Sequence, residues 1–252
     1  MALQTLSVHD LPQHVAEHEL AGSAVVVVDL LRASTTICQA LVSGALEVVP
    51  FLEIDDALEV AAASGRDQVV LGGERRGKRI DGFDLGNSPS EYTPQAVSGR
   101  CVFLTTTNGT RALQHARQGR RVLIGAIVNL SAIAASLRGE WCIDILCAGT
   151  DGQLTQEDIL AAGALVHELS VDWRQTNESA DVARREWENL MARSRAAGRT
   201  PSEQLAIELR DTPGGSNLLA IGLDKDLVDC AQIDRVDVVP ELDVHTWRIR
   251  PV

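Results

Sequence analysis

The chain has 252 residues, of which 45% are hydrophobic, 23% charged and only 3% aromatic. Its 23 Lys and Arg against 35 Asp and Glu leave a net charge of −12, which argues against nucleic acid and anionic membranes as partners. Disorder is excluded and a sizeable core is available, but an anionic substrate has to be drawn in by local cations or a metal.

Met1 to Leu20 holds Asp10, Glu17, Glu19 and three histidines, so it does not read as a signal peptide. The four valines Val25–Val28 read as a strand buried on both faces, the mark of a parallel sheet with helices on each side. A helix over Thr35–Ser43, a strand over Leu46–Phe51, a helix over Ile54–Ser64 and a strand over Gln68–Leu71 follow. After a loop from Gly72 to Pro94 come strand Cys101–Leu104, helix Thr110–Arg117, strand Arg121–Ile124, helix Leu130–Leu137 and strand Cys142–Cys147. Such alternation predicts a predominantly parallel sheet sandwiched between helices.

From Thr155 the pattern turns helical. Ile159, Leu160, Gly163, Val166 and Leu169 mark one apolar face, and Ala183, Trp187, Leu190, Met191 and Ser194 mark another. Thr200-Pro201-Ser202-Glu203 has the cap, first-turn proline and returning glutamate of a new helix. Val236–Pro240 reads as the last strand. The expectation is one domain over 1–252, with a helical lobe at about 171–222 covering a cleft. Five cysteines at irregular spacing make no disulfide framework, and Cys101, Cys142 and Cys147 lie in apolar runs that suit small core residues. No apolar run approaches the ~20 residues that cross a bilayer, so a cytoplasmic, reduced protein is expected.

Two strand-to-helix corners carry the chemistry. Thr105-Thr106-Thr107-Asn108-Gly109-Thr110 places hydroxyls, an amide and a glycine where a buried strand gives way to a helix start, a place that favours phosphate. Asp29 closes the valine strand, and Arg32, Ser34, Thr35 and Thr36 lead into the next helix, a combination that suits a metal ion beside an anion. The same residues also serve as helix caps and a surface ion pair, and the sequence leaves both readings open.

Gly72, Gly77 and Lys78 have the spacing of a nucleotide-binding loop. Arg79 stands where its Ser or Thr belongs, however, and Ile80 to Pro89 cannot start a long helix, so that loop is rejected. What remains is a polar loop whose Glu74 or Asp84 suits a hard metal and whose Arg75, Arg76, Lys78 and Arg79 suit anion capture. Thr155 with Asp158 resembles a capping box, which leaves Glu157 the freer candidate for a metal ligand or base. Asp211 to Asn217 is a turn whose glycines, Ser216 and Asn217 fit either an anion or a plain loop. No cysteine has an Arg six positions on, residue 31 is Leu where aspartyl-phosphate enzymes have a second Asp, and no Gly-x-Ser-x-Gly elbow exists.

Asp29-Leu-Leu-Arg-Ala-Ser-Thr-Thr, Gly73-Glu74-Arg75, Gly82 to Pro89, Thr105 to Thr110, and Cys147-Ala148-Gly149-Thr150 with Glu157-Asp158 together resemble the 2-phosphosulfolactate phosphatase family. The resemblance implies a three-layer α/β/α fold, with a predominantly parallel or mixed central sheet, and the helical pattern from Thr155 adds C-terminal helices to it. It also implies a magnesium-dependent phosphatase that converts 2-phospho-3-sulfolactate to 3-sulfolactate and phosphate, in methanogens within coenzyme M synthesis. Joined to the residues, it gives an expected metal set of Asp29, Glu74, Asp84 and Glu157 around Mg²⁺, with Asp29, Glu157 and Arg32 catalytic. Ser34, Thr35, Arg75, Thr106, Thr107, Asn108, Gly109 and Thr110 are expected to hold the small anionic phosphorylated substrate. A phosphotransferase or a phosphometabolite-binding protein is the alternative, and homo-oligomerisation stays open.

Overall fold

The computed structural model describes residues 4–169 and 175–252. Residues 170–174, where the expected helical lobe begins, lie outside the described residues. The valine strand is β2 (Ala24–Val28), with every residue buried, and it pairs in parallel with β7 (Arg121–Gly125) and β8 (Cys142–Cys147). Beyond β8 lie β1 (Thr5–His9) and the short β9 (Gln175–Thr176), both parallel. Neither was visible in the sequence, because Thr5–His9 alternates half-buried and buried residues over only five positions.

A second parallel block consists of β3 (Glu47–Pro50), β6 (Cys101–Thr105) and β4 (Val69–Arg75). Between the blocks sits an antiparallel hairpin of β10 (Pro240–Asp243) and β11 (Arg248–Pro251), joined to β7 and β3 through one residue pair each. The expected last strand, Val236–Pro240, is thereby corrected: residues 235–239 are irregular and the strand begins at Pro240. Electrostatics holds the hairpin, since the buried Glu47 carboxylate accepts from Arg248 and, at 2.7 Å, from Arg250. With β5 (Lys78–Arg79) on the β4 edge, the mixed sheet has eleven strands.

Helices cover both faces. On one, Val27 and Ile124 meet Ile37 of α1 (Ala33–Val42) and Leu113 of α4 (Gly109–His115). On the other, Val28 meets Ile133 of α5 (Leu130–Ser136) and Leu165 of α6 (Gln156–Leu169). This is the three-layer α/β/α arrangement. The remaining helices are α2 (Ile54–Ser64), the single turn α3 (Pro94–Val97), α7 (Glu178–Ala196), α8 (Pro201–Glu208), α9 (Pro213–Ala220) and α10 (Asp224–Cys230). The faces expected on α6 and α7 are buried except for Met191, which is half-buried. Cys147 is a core residue, but Cys142 is exposed because it opens β8 at the rim of the sheet. Among the described residues no helix is long and apolar enough to cross a membrane.

Three antiparallel steps separate the two parallel blocks, so a flat sheet would send their carboxyl ends in opposite directions. The residues that follow β2 and β6 are nevertheless brought together, since Asp29, Thr107 and Asn108 line one cleft. A Cβ placed on Gly109 would lie 2.8 Å from Asp29 Oδ2, an approach that only glycine permits.

Candidate active site

Where those strand ends meet, a cleft of about 360 Å³ opens, walled by Asp29, Arg32, Glu74, Asn87, Thr107 and Asn108 and roofed by α9. Asp29 is 9% exposed. Burial, followed by the Glu74 carboxylate, pushes its pKa up from 3.8 to about 7, against the lowering by the Ala33 N–H and Arg32. Glu157, 2% exposed, is also raised, chiefly by burial. Its Oε1 accepts from Gly214 N at 2.9 Å, while its Oε2 is buried with no hydrogen-bond partner. Glu74 links two segments: Oε2 accepts from Gly77 N at 2.7 Å and Oε1 from Thr107 N at 2.8 Å.

Other expected residues are placed differently. Ser34 Oγ accepts from Asp29 N and donates to Val27 O, and Thr35 Oγ1 donates to Leu30 O, so both hydroxyls build the β2–α1 corner and neither residue lines the cleft. Thr106 and Thr110 spend their hydroxyls on each other and on each other's N–H groups. Only Thr107 and Asn108 of that segment reach the cleft. Thr107 Oγ1 is buried without a partner, and Asn108 Oδ1 accepts from Asp151 N at 3.2 Å. With α4 only seven residues long, the expected phosphate cradle at a helix start shrinks to these two side chains.

Arg75 turns away, donating to Leu52 O and Glu74 O, while Arg76 lines the cleft in its place. Asp84 lies outside it altogether: Oδ1 pairs with Arg66 at 2.7 Å and Oδ2 accepts from Leu71 N. Among the described residues no three His, Cys, Asp or Glu side chains converge closely enough to hold a metal. The expected four-carboxylate set is therefore not assembled. The rejected nucleotide loop is a hairpin, with β4 turning through Arg76–Gly77 into β5.

Two contributors carry no role in the sequence reading, and a third, Asp158, has a different one. Asp226 pairs with Arg32 at 2.6 Å, both side chains 2% exposed, and Ser88 Oγ donates to its other oxygen. Asp224 to Asp226 reads only as the acidic first turn of a helix, so no signal marked it. Asn87 stood in a recognised block, yet nothing in its spacing gave it a role. Asp158 does not cap its own helix. It accepts from Leu30 N and Gly149 N, tying the ends of β2 and β8, and burial followed by Asp29 raises its pKa.

A three-layer α/β/α fold with buried carboxyls, polar loop residues and the buried Arg32 at its strand ends describes an α/β enzyme of small anionic metabolites. A profile of the 2-phosphosulpholactate phosphatase family matches residues 9–245, and the chain belongs to that family. A probable 2-phosphosulfolactate phosphatase of Symbiobacterium thermophilum is 41% identical over 225 residues, 88% of this chain and 92% of that one. Proteins of the same description from Caldanaerobacter subterraneus and a Synechococcus are 35% and 37% identical, covering 96% and 91% of this chain and 95% and 92% of theirs. Membership of a phosphatase family implies a phosphorylated small-molecule substrate and suggests a divalent metal. The donors fit such an ion: all are hard oxygens, one Glu157 oxygen is unpartnered, and burial followed by the Glu74 carboxylate lifts Asp29.

Proposed function

We propose that this chain hydrolyses 2-phosphosulfolactate to 3-sulfolactate and phosphate in the cleft between the ends of β2 and β6, with Mg²⁺. One observation carries the reading: Asp29, its pKa pushed up to about 7, lines the same cleft as the unpartnered Thr107 hydroxyl and the Asn108 amide. A carboxyl poised near neutral pH is suited to take a proton from water.

In this reading Thr107 and Asn108 hold the phosphoryl oxygens, and Asp29 orients the attacking water. As the water oxygen bonds to phosphorus, the ester bond to the substrate's C2 oxygen breaks and the water proton passes to Asp29. Water entering from the open cleft protonates the departing oxygen. Asp29 and the free Oε2 of Glu157 would hold Mg²⁺, since both Glu74 oxygens are engaged by backbone N–H groups. When bound, magnesium supplies charge neutralisation to the phosphoryl oxygens. It prefers few protein ligands and several waters, so a converged triad is not required.

Phosphate release from 2-phosphosulfolactate and from ATP, each with and without Mg²⁺, tests the proposal. Release from the first that requires Mg²⁺, with none from ATP, supports it. Release from ATP alone would make the chain a nucleotide enzyme.

A further inference from the structure

A second cleft of about 420 Å³ adjoins the first, and the two share Arg32, Gly77, Asn87 and Ile221 in their walls. Asn87 is 4% exposed, and Thr36 Oγ1 donates to its backbone oxygen at 2.8 Å, which fixes the main chain. Its carboxamide makes no hydrogen bond among the described residues, and Oδ1 is fully buried. The Nδ2 donor is therefore the end that reaches the cleft. A donor held open in a cleft wall with no protein acceptor is free to meet an acceptor on a ligand.

The surroundings suit an anion. Lys78 and Arg79 line the second cleft, and neither forms an ion pair among the described residues. Glu91 lines it too, with Oε2 accepting from Gly86 N. Arg32 lies at the junction, held by Asp226, whose second oxygen is taken by Ser88, the neighbour of Asn87.

We infer that Asn87, at the junction of the two clefts, is the specificity residue for the substrate's sulfonate. The inference rests on the proposed function and deepens it. The substrate carries three anionic groups, and the first cleft takes the phosphate. The sulfonate sulfur stands one bond farther from phosphorus than the carboxylate carbon does, so it is the group that reaches the junction. There Asn87 Nδ2 donates to a sulfonate oxygen, and Lys78 supplies unpaired positive charge.

Steady-state kinetics of the wild type and Asn87→Ala on 2-phosphosulfolactate and on 2-phospholactate, which lacks only the sulfonate, test it. The ratio of kcat/KM for the two substrates should fall about ten-fold or more in the variant, the worth of one hydrogen bond to a charged group. Asn87→Leu keeps the volume and should lower the ratio equally, with a melting temperature at or above wild type because no protein hydrogen bond is lost. A ratio within two-fold of wild type, or an equal loss on both substrates, overturns the inference. So does a lowered melting temperature in both variants with the ratio intact. A wild type that turns over neither substrate removes the proposed function and the inference together, whereas normal wild-type turnover with an unchanged ratio removes the inference alone.

Discussion

Arg32 and Asp226, 194 residues apart in sequence, are joined at 2.6 Å where neither side chain is more than 2% exposed. The pair ties α10 to the β2–α1 corner, and Arg32 Nη2 continues the tie to Gly77 O at 2.8 Å. Removing one partner leaves an uncompensated buried charge, so Asp226→Ala should cost about 3–5 kcal/mol in urea unfolding. Arg32→Met with Asp226→Leu should cost clearly less than the sum of the two single changes. Additive losses would show that the pair is not coupled.

The buried carboxyls make stability depend on pH. Burial and then Glu74 push Asp29 from its ordinary 3.8 up to about 7 in the folded chain, so between those values the folded chain holds more protons. Metal-free stability should therefore fall as pH rises from about 4 to about 7, with Glu157 and Asp158, also raised, contributing in the same sense. Thermal unfolding at pH 5 and pH 8, with and without Mg²⁺, checks this. Mg²⁺ should raise the melting temperature at pH 8 and leave pH 5 nearly unchanged; equal effects at both would contradict it.

Gly214 N holds Glu157 Oε1, and a Cβ on Gly214 would lie 2.1 Å from that oxygen. Gly214→Ala should displace Glu157 or α9 and lower kcat about ten-fold or more, with the chain still folded by circular dichroism. Wild-type turnover in this variant would separate Glu157 from the reaction.

Asp84 gives the opposite expectation. Its carboxylate serves Arg66 and the Leu71 N–H, away from the cleft. Asp84→Asn should keep turnover within about two-fold, while Asp84→Ala should cost about 1–3 kcal/mol by stranding the Leu71 donor. Loss of turnover in Asp84→Asn would return this residue to the metal set.

The parallel blocks were legible because buried strands such as Val25–Val28 are continuous apolar runs, and helix faces such as that of Trp187 and Leu190 repeat at helical spacing. The placement of Asp29, Thr107 and Asn108 in one cleft was legible because strand ends gather at such openings. Ser34, Thr35, Thr106 and Thr110 were misassigned for a physical reason: a hydroxyl at such a corner can serve backbone or ligand, and its own sequence does not say which. Asp84 was misplaced because β4 runs on to Arg75, so its loop folds back along the strand. Asp226 was illegible because its importance comes from a partner 194 residues away.

The most direct test is phosphate release from 2-phosphosulfolactate in Mg²⁺ by the wild type and Asp29→Asn, each first shown to be folded. The wild type should turn over, and the variant should be slower by about two orders of magnitude or more with its fold intact. Equal rates would remove Asp29 from the chemistry and contradict the placement of the reaction between the ends of β2 and β6.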